Sequence, residues 1–119
     1  MNKILILEDN IERINWFKQI FKNNELHITK DISSALLFLS INDIDIMFLD
    51  HDLDIDNLYS LNNGVEFCKN LIKNNLHKKA LVYIHSMNPV GANVMLNLLN
   101  DNGYEAQWIP FRLLKLSER

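Results

Sequence analysis

Two rhythms of apolar residues run along this chain, and they alternate. Lys3–Leu7 (KILIL) is a short apolar run ending in acids, the pattern of a strand buried on both faces. From Ile11 to Phe21 the residues Ile11, Ile14, Phe17, Ile20 and Phe21 recur at helical spacing, with Asn10 placed to cap the helix start. Leu26–Thr29 predicts a second strand, and Ile32–Ile41 a second helix beginning near Asp31 or Ser33. Asp45–Leu49 reads as a third buried strand. Gly64–Leu76 reads as a helix, with Val65, Phe67, Cys68, Leu71 and Ile72 in phase. Ala80–Ile84 predicts a fourth strand. A helix then runs from Pro89, favoured at a first helical position, to about Asn100, with Gly103 as its stop. Glu105–Ile109 supplies a fifth short strand before Pro110.

Strands alternating with helices imply right-handed βαβ units on a parallel sheet. The expectation is one domain over residues 1–119: a doubly wound α/β fold, flavodoxin-like, with five parallel strands in the order 2-1-3-4-5. Open sheets of this kind bind ligands outside the carboxyl ends of their strands. Those ends carry Glu8-Asp9-Asn10, Asp50-His51-Asp52, His85-Ser86-Met87-Asn88 and Ile109-Pro110. The opposite ends, at Asn2-Lys3, Asp43–Asp45, Lys78-Lys79 and Glu105, hold nothing comparable. Titratable groups therefore converge on one edge.

Composition narrows the choice of ligand. A hydrophobic content of 48% with 23% charged residues is ordinary for a soluble globular domain. The formal charge of −3 argues against a long nucleic-acid tract, which needs a basic face to release counterions. A small anion remains acceptable if a metal or a helix terminus offsets the carboxylates. The single cysteine, Cys68, excludes an intrachain disulfide and falls in the core phase of its helix. No apolar run is long enough to span a bilayer, and MNKILILEDN lacks the apolar region of a signal peptide, so a cytoplasmic location is expected.

ILILED, IMFLD, YIHS and IPF stand in the order and spacing that resemble the receiver domain of response regulators. That resemblance implies that Glu8 and Asp9 match the acidic pair that holds Mg²⁺, Asp50 the phospho-acceptor and Ser86 the hydroxyl position. Ile109 departs from it, standing where the family has a lysine before proline, and neither Arg112 nor Lys115 is an evident replacement. His51, Asp52, His85 and Asn88 are not receiver residues. Within LDHDL and HSMNPVGA they resemble the cyclic-phosphate-processing receiver-like domains of bacteria and phages. This narrower resemblance implies a phosphoesterase acting on nucleotide cyclic phosphates.

Opening a cyclic phosphate requires a water to lose a proton, a leaving alkoxide to gain one, and charge on the nonbridging oxygens to be stabilised. Histidine suits the proton transfers. Neighbouring strands lie about 4.8 Å apart, so His51 and His85 are expected to flank one phosphate as acid and base. Asp50 or Asp52 would orient an imidazole or hold a metal. Ser86 and Asn88, at the start of the Pro89 helix, would donate to phosphate oxygens. Glu8, Asp9 and Asp50 are the candidate ligands of a divalent cation, Mg²⁺ or Mn²⁺.

The expected partner is a small nucleotide or an RNA terminus carrying a cyclic phosphate, with no membrane and with homodimerisation left open. Asp52, Asp54 and Asp56 match the start of a calcium loop, but Asn57 and Asn63 replace its glycine and bidentate glutamate, so Asp54 and Asp56 read as a solvated lid. His27 and His77 receive no role, and Trp16 and Trp108 read as core. Two alternatives stand beside the enzyme: a receiver phosphorylated on Asp50, and a non-catalytic nucleotide-sequestering protein.

Overall fold

The computed structural model describes residues 2–53 and 63–116. Asp54 and Asp56 lie outside the described residues. In chain order the elements are β1 (Lys3–Leu7), α1 (Ile11–Ile20), β2 (Glu25–Thr29), α2 (Ile32–Ile41), β3 (Ile46–Leu49), α3 (Gly64–Lys73), β4 (Leu81–Ile84), α4 (Pro89–Asp101), β5 (Glu105–Trp108) and α5 (Phe111–Leu116). The five strands pair in the order β2-β1-β3-β4-β5, every pair parallel. This is the doubly wound arrangement expected from the alternating periodicities.

β1 and β3 are central because their side chains satisfy both faces. In β1, Ile4, Leu5, Ile6 and Leu7 are all buried. Leu5 and Leu7 join the larger core with Ala35, Met47, Leu49, Phe67, Leu71, Met95 and Leu99. Ile4 and Ile6 point the other way, into a smaller core with Phe17 and Phe48. Each fully buried side chain of this size contributes about 1.5–3 kcal/mol.

Four helix starts are capped by a side chain. Asn10, Asp31, Asn63 and Asn88 each accept the backbone N–H three residues ahead, at 2.8–3.1 Å. Asn63, which fails as a calcium ligand, is a helix cap instead. The third helix ends at Lys73 rather than Leu76, because Asn75 (φ 55) and His77 (φ 49) take left-handed conformations that helical backbone does not allow. His77 Nε2 then lies 2.7 Å from the Leu39 carbonyl, and His27 stacks on Phe38. Both histidines are structural.

Candidate active site

Three strands deliver three polar groups to one pit. Just beyond β1, Glu8 turns inward and is wholly buried; its Oε2 accepts the N–H groups of Asp9 (3.1 Å) and Asn10 (3.0 Å). Just beyond β3, Asp50 is also buried, and its Oδ1 accepts the N–H of His51 at 2.8 Å. Just beyond β4, His85 is 0% exposed and places Nε2 2.7 Å from Glu8 Oε1. An ionised Glu8 only accepts, so Nε2 carries the shared hydrogen. One ligand atom from each of Glu8, Asp50 and His85 lies within 4.8 Å of the others.

The His85 ring is sealed by aromatic neighbours, with Phe17 at 5.1 Å and Phe111 at 6.3 Å between centroids. Its Nδ1 is buried with no hydrogen-bond partner among the described residues. Burial pushes the Glu8 carboxyl up, but the His85 hydrogen bond and charge, the Asn10 N–H and Arg13 together bring it below its ordinary value. Burial dominates at Asp50 and raises its pKa; the Glu8 charge adds to this, against the opposing pull of His85, the His51 N–H and Arg13. One carboxylate of the pair is thus held charged, and the other resists ionising.

The cation of this pit comes from α1. Arg13 Nη1 lies 3.8 Å from both Glu8 Oε1 and Asp50 Oδ2, and the guanidinium sits over the Phe111 ring at 5.1 Å. Sequence reasoning looked for a replacement of the missing lysine at Arg112 or Lys115 and did not single out Arg13. The available signal was a cation in the first turn of a helix, where the macrodipole disfavours positive charge unless acids lie nearby.

His51 and His85 do not face each other as expected. His85 sinks beneath Glu8. The His51 ring instead lies against the start of α4, where Gly91 leaves it room: a Cβ there would lie 2.7 Å from His51 Nε2. His51 Nδ1 is 2.8 Å from Asp52 Oδ1 and 3.4 Å from Asn88 Nδ2. Ser86 is buried and its Oγ accepts the Asn88 N–H at 3.0 Å, so its hydroxyl serves the backbone turn in this arrangement. Asn88 both caps α4 and touches His51.

Beside these groups opens a cleft of about 370 Å³, lined by Glu8, Asp9, Asn10, Arg13, Asp50, Asp52, Met87 and Asn88. Four acids face one cation there. At Coulombic range that imbalance repels a bare phosphate, so an anionic ligand needs an added positive charge or a protonated acid. The Glu8 and Asp50 carboxylates are oxygen donors suited to Mg²⁺ or Mn²⁺, with His85 orienting Glu8 through its Nε2–H rather than ligating.

The five-stranded order, with paired acids and Asp50 at the carboxyl edge, defines a receiver-type α/β domain. The chain belongs to the cyclic-phosphate processing receiver domain family, whose model matches residues 4–101. Among solved structures it is similar to the receiver domain of NtrX from Brucella abortus, at 21% identity and a TM-score of 0.65, covering 98% of this chain and 95% of that one. Of a longer NtrX chain it spans 27%. A CheY-like receiver domain protein from Methanospirillum hungatei JF-1 matches at 19% identity and TM-score 0.65, covering 99% and 92%. The Mn²⁺-bound form of the response regulator Rcp1 matches at 18% identity and TM-score 0.66, covering 98% and 88%. No curated protein matches the chain. Among the described residues no helix is long and apolar enough to cross a membrane.

Proposed function

We propose that this domain binds a nucleotide cyclic phosphate, either a 2′,3′-cyclic RNA end or a small cyclic nucleotide, in the Glu8–Asp50 cleft and hydrolyses it. The observation that carries the reading is the meeting of the acidic pit, Arg13 and the His51–Asp52 pair on one cleft, in a member of a cyclic-phosphate processing family. Glu8 and Asp50, with Asp9 at the rim, would hold a divalent cation, and the Mn²⁺-bound Rcp1 relative supports that choice. Bound there, the cation supplies the positive charge the acids otherwise deny to phosphate.

The residues of the chain divide the remaining work. His51 reaches the cleft through Asp52 and Asn88, two of its lining residues that flank Nδ1, and donates Nδ1–H to the Asp52 carboxylate. Its Nε2 takes the proton of an attacking water as the new P–O bond forms. It then returns a proton to the ring oxygen as the old P–O bond breaks, leaving a phosphomonoester. Asp52 stabilises the imidazolium, and Arg13 and the Asn88 amide offer donors to the nonbridging oxygens. His85, sealed from the cleft, acts as a positioning residue by fixing Glu8. The experiment is turnover on a panel of cyclic phosphates with Mn²⁺ or Mg²⁺. Hydrolysis that falls about 100-fold or more in His51→Ala is expected. No hydrolysis of any member by wild type overturns the reading.

A second reading, phosphorylation of Asp50, gains from the same geometry, because Arg13 beside Asp50 Oδ2 supplies a cation that the missing lysine does not. A saturable response to beryllofluoride with Mg²⁺, lost in Asp50→Asn, would favour it.

A further inference from the structure

Next to the cleft lies a second depression of about 270 Å³, lined by Asn10, Glu12, Arg13, Trp16, Phe111 and Lys115. It runs between α1 and α5 and shares Asn10 and Arg13 with the cleft. Trp16 and Phe111 meet edge to face in its wall, with ring centroids 5.2 Å apart. Both are only partly buried, although each packs on the smaller core. The Arg13 guanidinium spans the junction: it approaches Glu8 and Asp50 on one side and covers the Phe111 ring on the other. Lys115 adds an exposed ammonium with three donors.

We infer that this groove takes the nucleobase of a ligand whose phosphate occupies the cleft. The inference rests on the cyclic-phosphate reading and names the part of the substrate that the acidic cleft leaves undefined. A flat heteroaromatic ring is the chemistry that fits: aromatic rings offer stacking surface to any base, and cationic side chains answer its acceptor atoms. Arg13 and Lys115 outnumber Glu12 in the wall, so it is the aromatic surface of Trp16 and Phe111, rather than charge, that selects a flat base. The shared Asn10 and Arg13 border both spaces, so phosphate and base of one molecule can be held together. Stacking on one ring is expected to be worth about tenfold in affinity, a factor that every base shares.

The test is equilibrium binding, by calorimetry in the presence of Mn²⁺, of a nucleoside 2′,3′-cyclic monophosphate and of the cyclic phosphate of a plain vicinal diol. Wild type is expected to prefer the nucleotide by about tenfold or more. Trp16→Leu and Lys115→Glu should each reduce that ratio. A ratio is insensitive to the fraction of protein that folds, which protects the reading from instability of the Trp16 variant. Equal affinity for the two ligands in wild type, or a ratio that survives both substitutions, overturns the inference, as does absence of binding. Selective binding without hydrolysis supports the groove and defeats the phosphoesterase reading. Hydrolysis without selectivity does the reverse.

Discussion

Alanine at Gly64 and alanine at Gly91 add the same methyl group to the first turn of two helices, yet the two variants should differ. At Gly64 the new Cβ is driven into the backbone carbonyl of Asp50 and comes within 2.6 Å of Met95 Sδ. That carbonyl cannot retreat, because it belongs to the turn that Gly64 itself secures by donating its N–H to the His51 carbonyl at 2.9 Å. Overpacking against backbone costs about 1–3 kcal/mol, from which the better helix propensity of alanine recovers about 0.5–1 kcal/mol. With about 2.1 cal/mol/K of unfolding entropy per residue, one kcal/mol corresponds to about 4 °C in a chain of this size. Gly64→Ala should therefore lower Tm by about 5 °C, and by about 10 °C at most.

At Gly91 the obstacle is the ring of His51, whose Cγ would lie 2.5 Å from the new carbon. A side chain that is 18% exposed can rotate away. The propensity gain then offsets most of the cost, and stability should stay within about 0.5 kcal/mol of wild type. The loss should appear instead in the His51 resonances and in turnover, because the ring abandons Asp52 and Asn88. Calorimetric melting and histidine NMR read the two effects separately. Equal destabilisation by both substitutions, or an unmoved His51 spectrum in Gly91→Ala, would refute the reasoning.

Other consequences are as direct. His85→Leu leaves Oε1 of the buried Glu8 without its hydrogen bond and should cost about 3 kcal/mol or more in urea unfolding, against about 1 kcal/mol for His51→Ala. Because the folded pKa of Asp50 is raised, its charge opposes folding above that pKa, and this opposition fades as pH falls through it. Asp50→Asn should therefore melt above wild type at pH 7, with the gap closing on acidification. Glu8, whose pKa is lowered, has the opposite sign: its contribution is full above the ordinary value of 4.5 and disappears as pH falls through the folded pKa, so Glu8→Gln should lose most stability at neutral pH. Mn²⁺ at 100 times its Kd should raise the melting temperature of wild type by about 10 °C and do little for Asp50→Ala.

Much of the scaffold was legible because periodicity is a local property. Buried strands show as unbroken apolar runs and helices as stripes, so KILIL and IMFL declare themselves, as do the caps Asn10 and Asp31. The edge that carries the candidate site was legible for a topological reason: parallel strands all end on one side. Side-chain direction needs the register as well. Leu49 pairs with Ile84, so His85 stands level with Asp50 and His51 lies one residue further on; alternation sends the two imidazoles to opposite faces, where Phe17 and Phe111 seal one and Gly91 seats the other. Arg13 was not legible because Asp50 is remote along the chain, and the nearby Glu8 turns toward it only where β1 ends at the sheet edge. Trp16 read as core from its phase, and it does pack on Phe17, but the phase could not show the groove beside it.

The three members of the acidic pit hang from β1, β3 and β4, the three central strands. No hairpin or helix pair of this chain brings two of them together, so the pit exists only when the middle of the sheet is complete. An ion bound there would stabilise that whole state and no part-folded form. Amide hydrogen exchange should register this as uniform slowing of the most protected amides, those that exchange only through global opening. Amides that exchange through fraying of the outer elements should keep their rates.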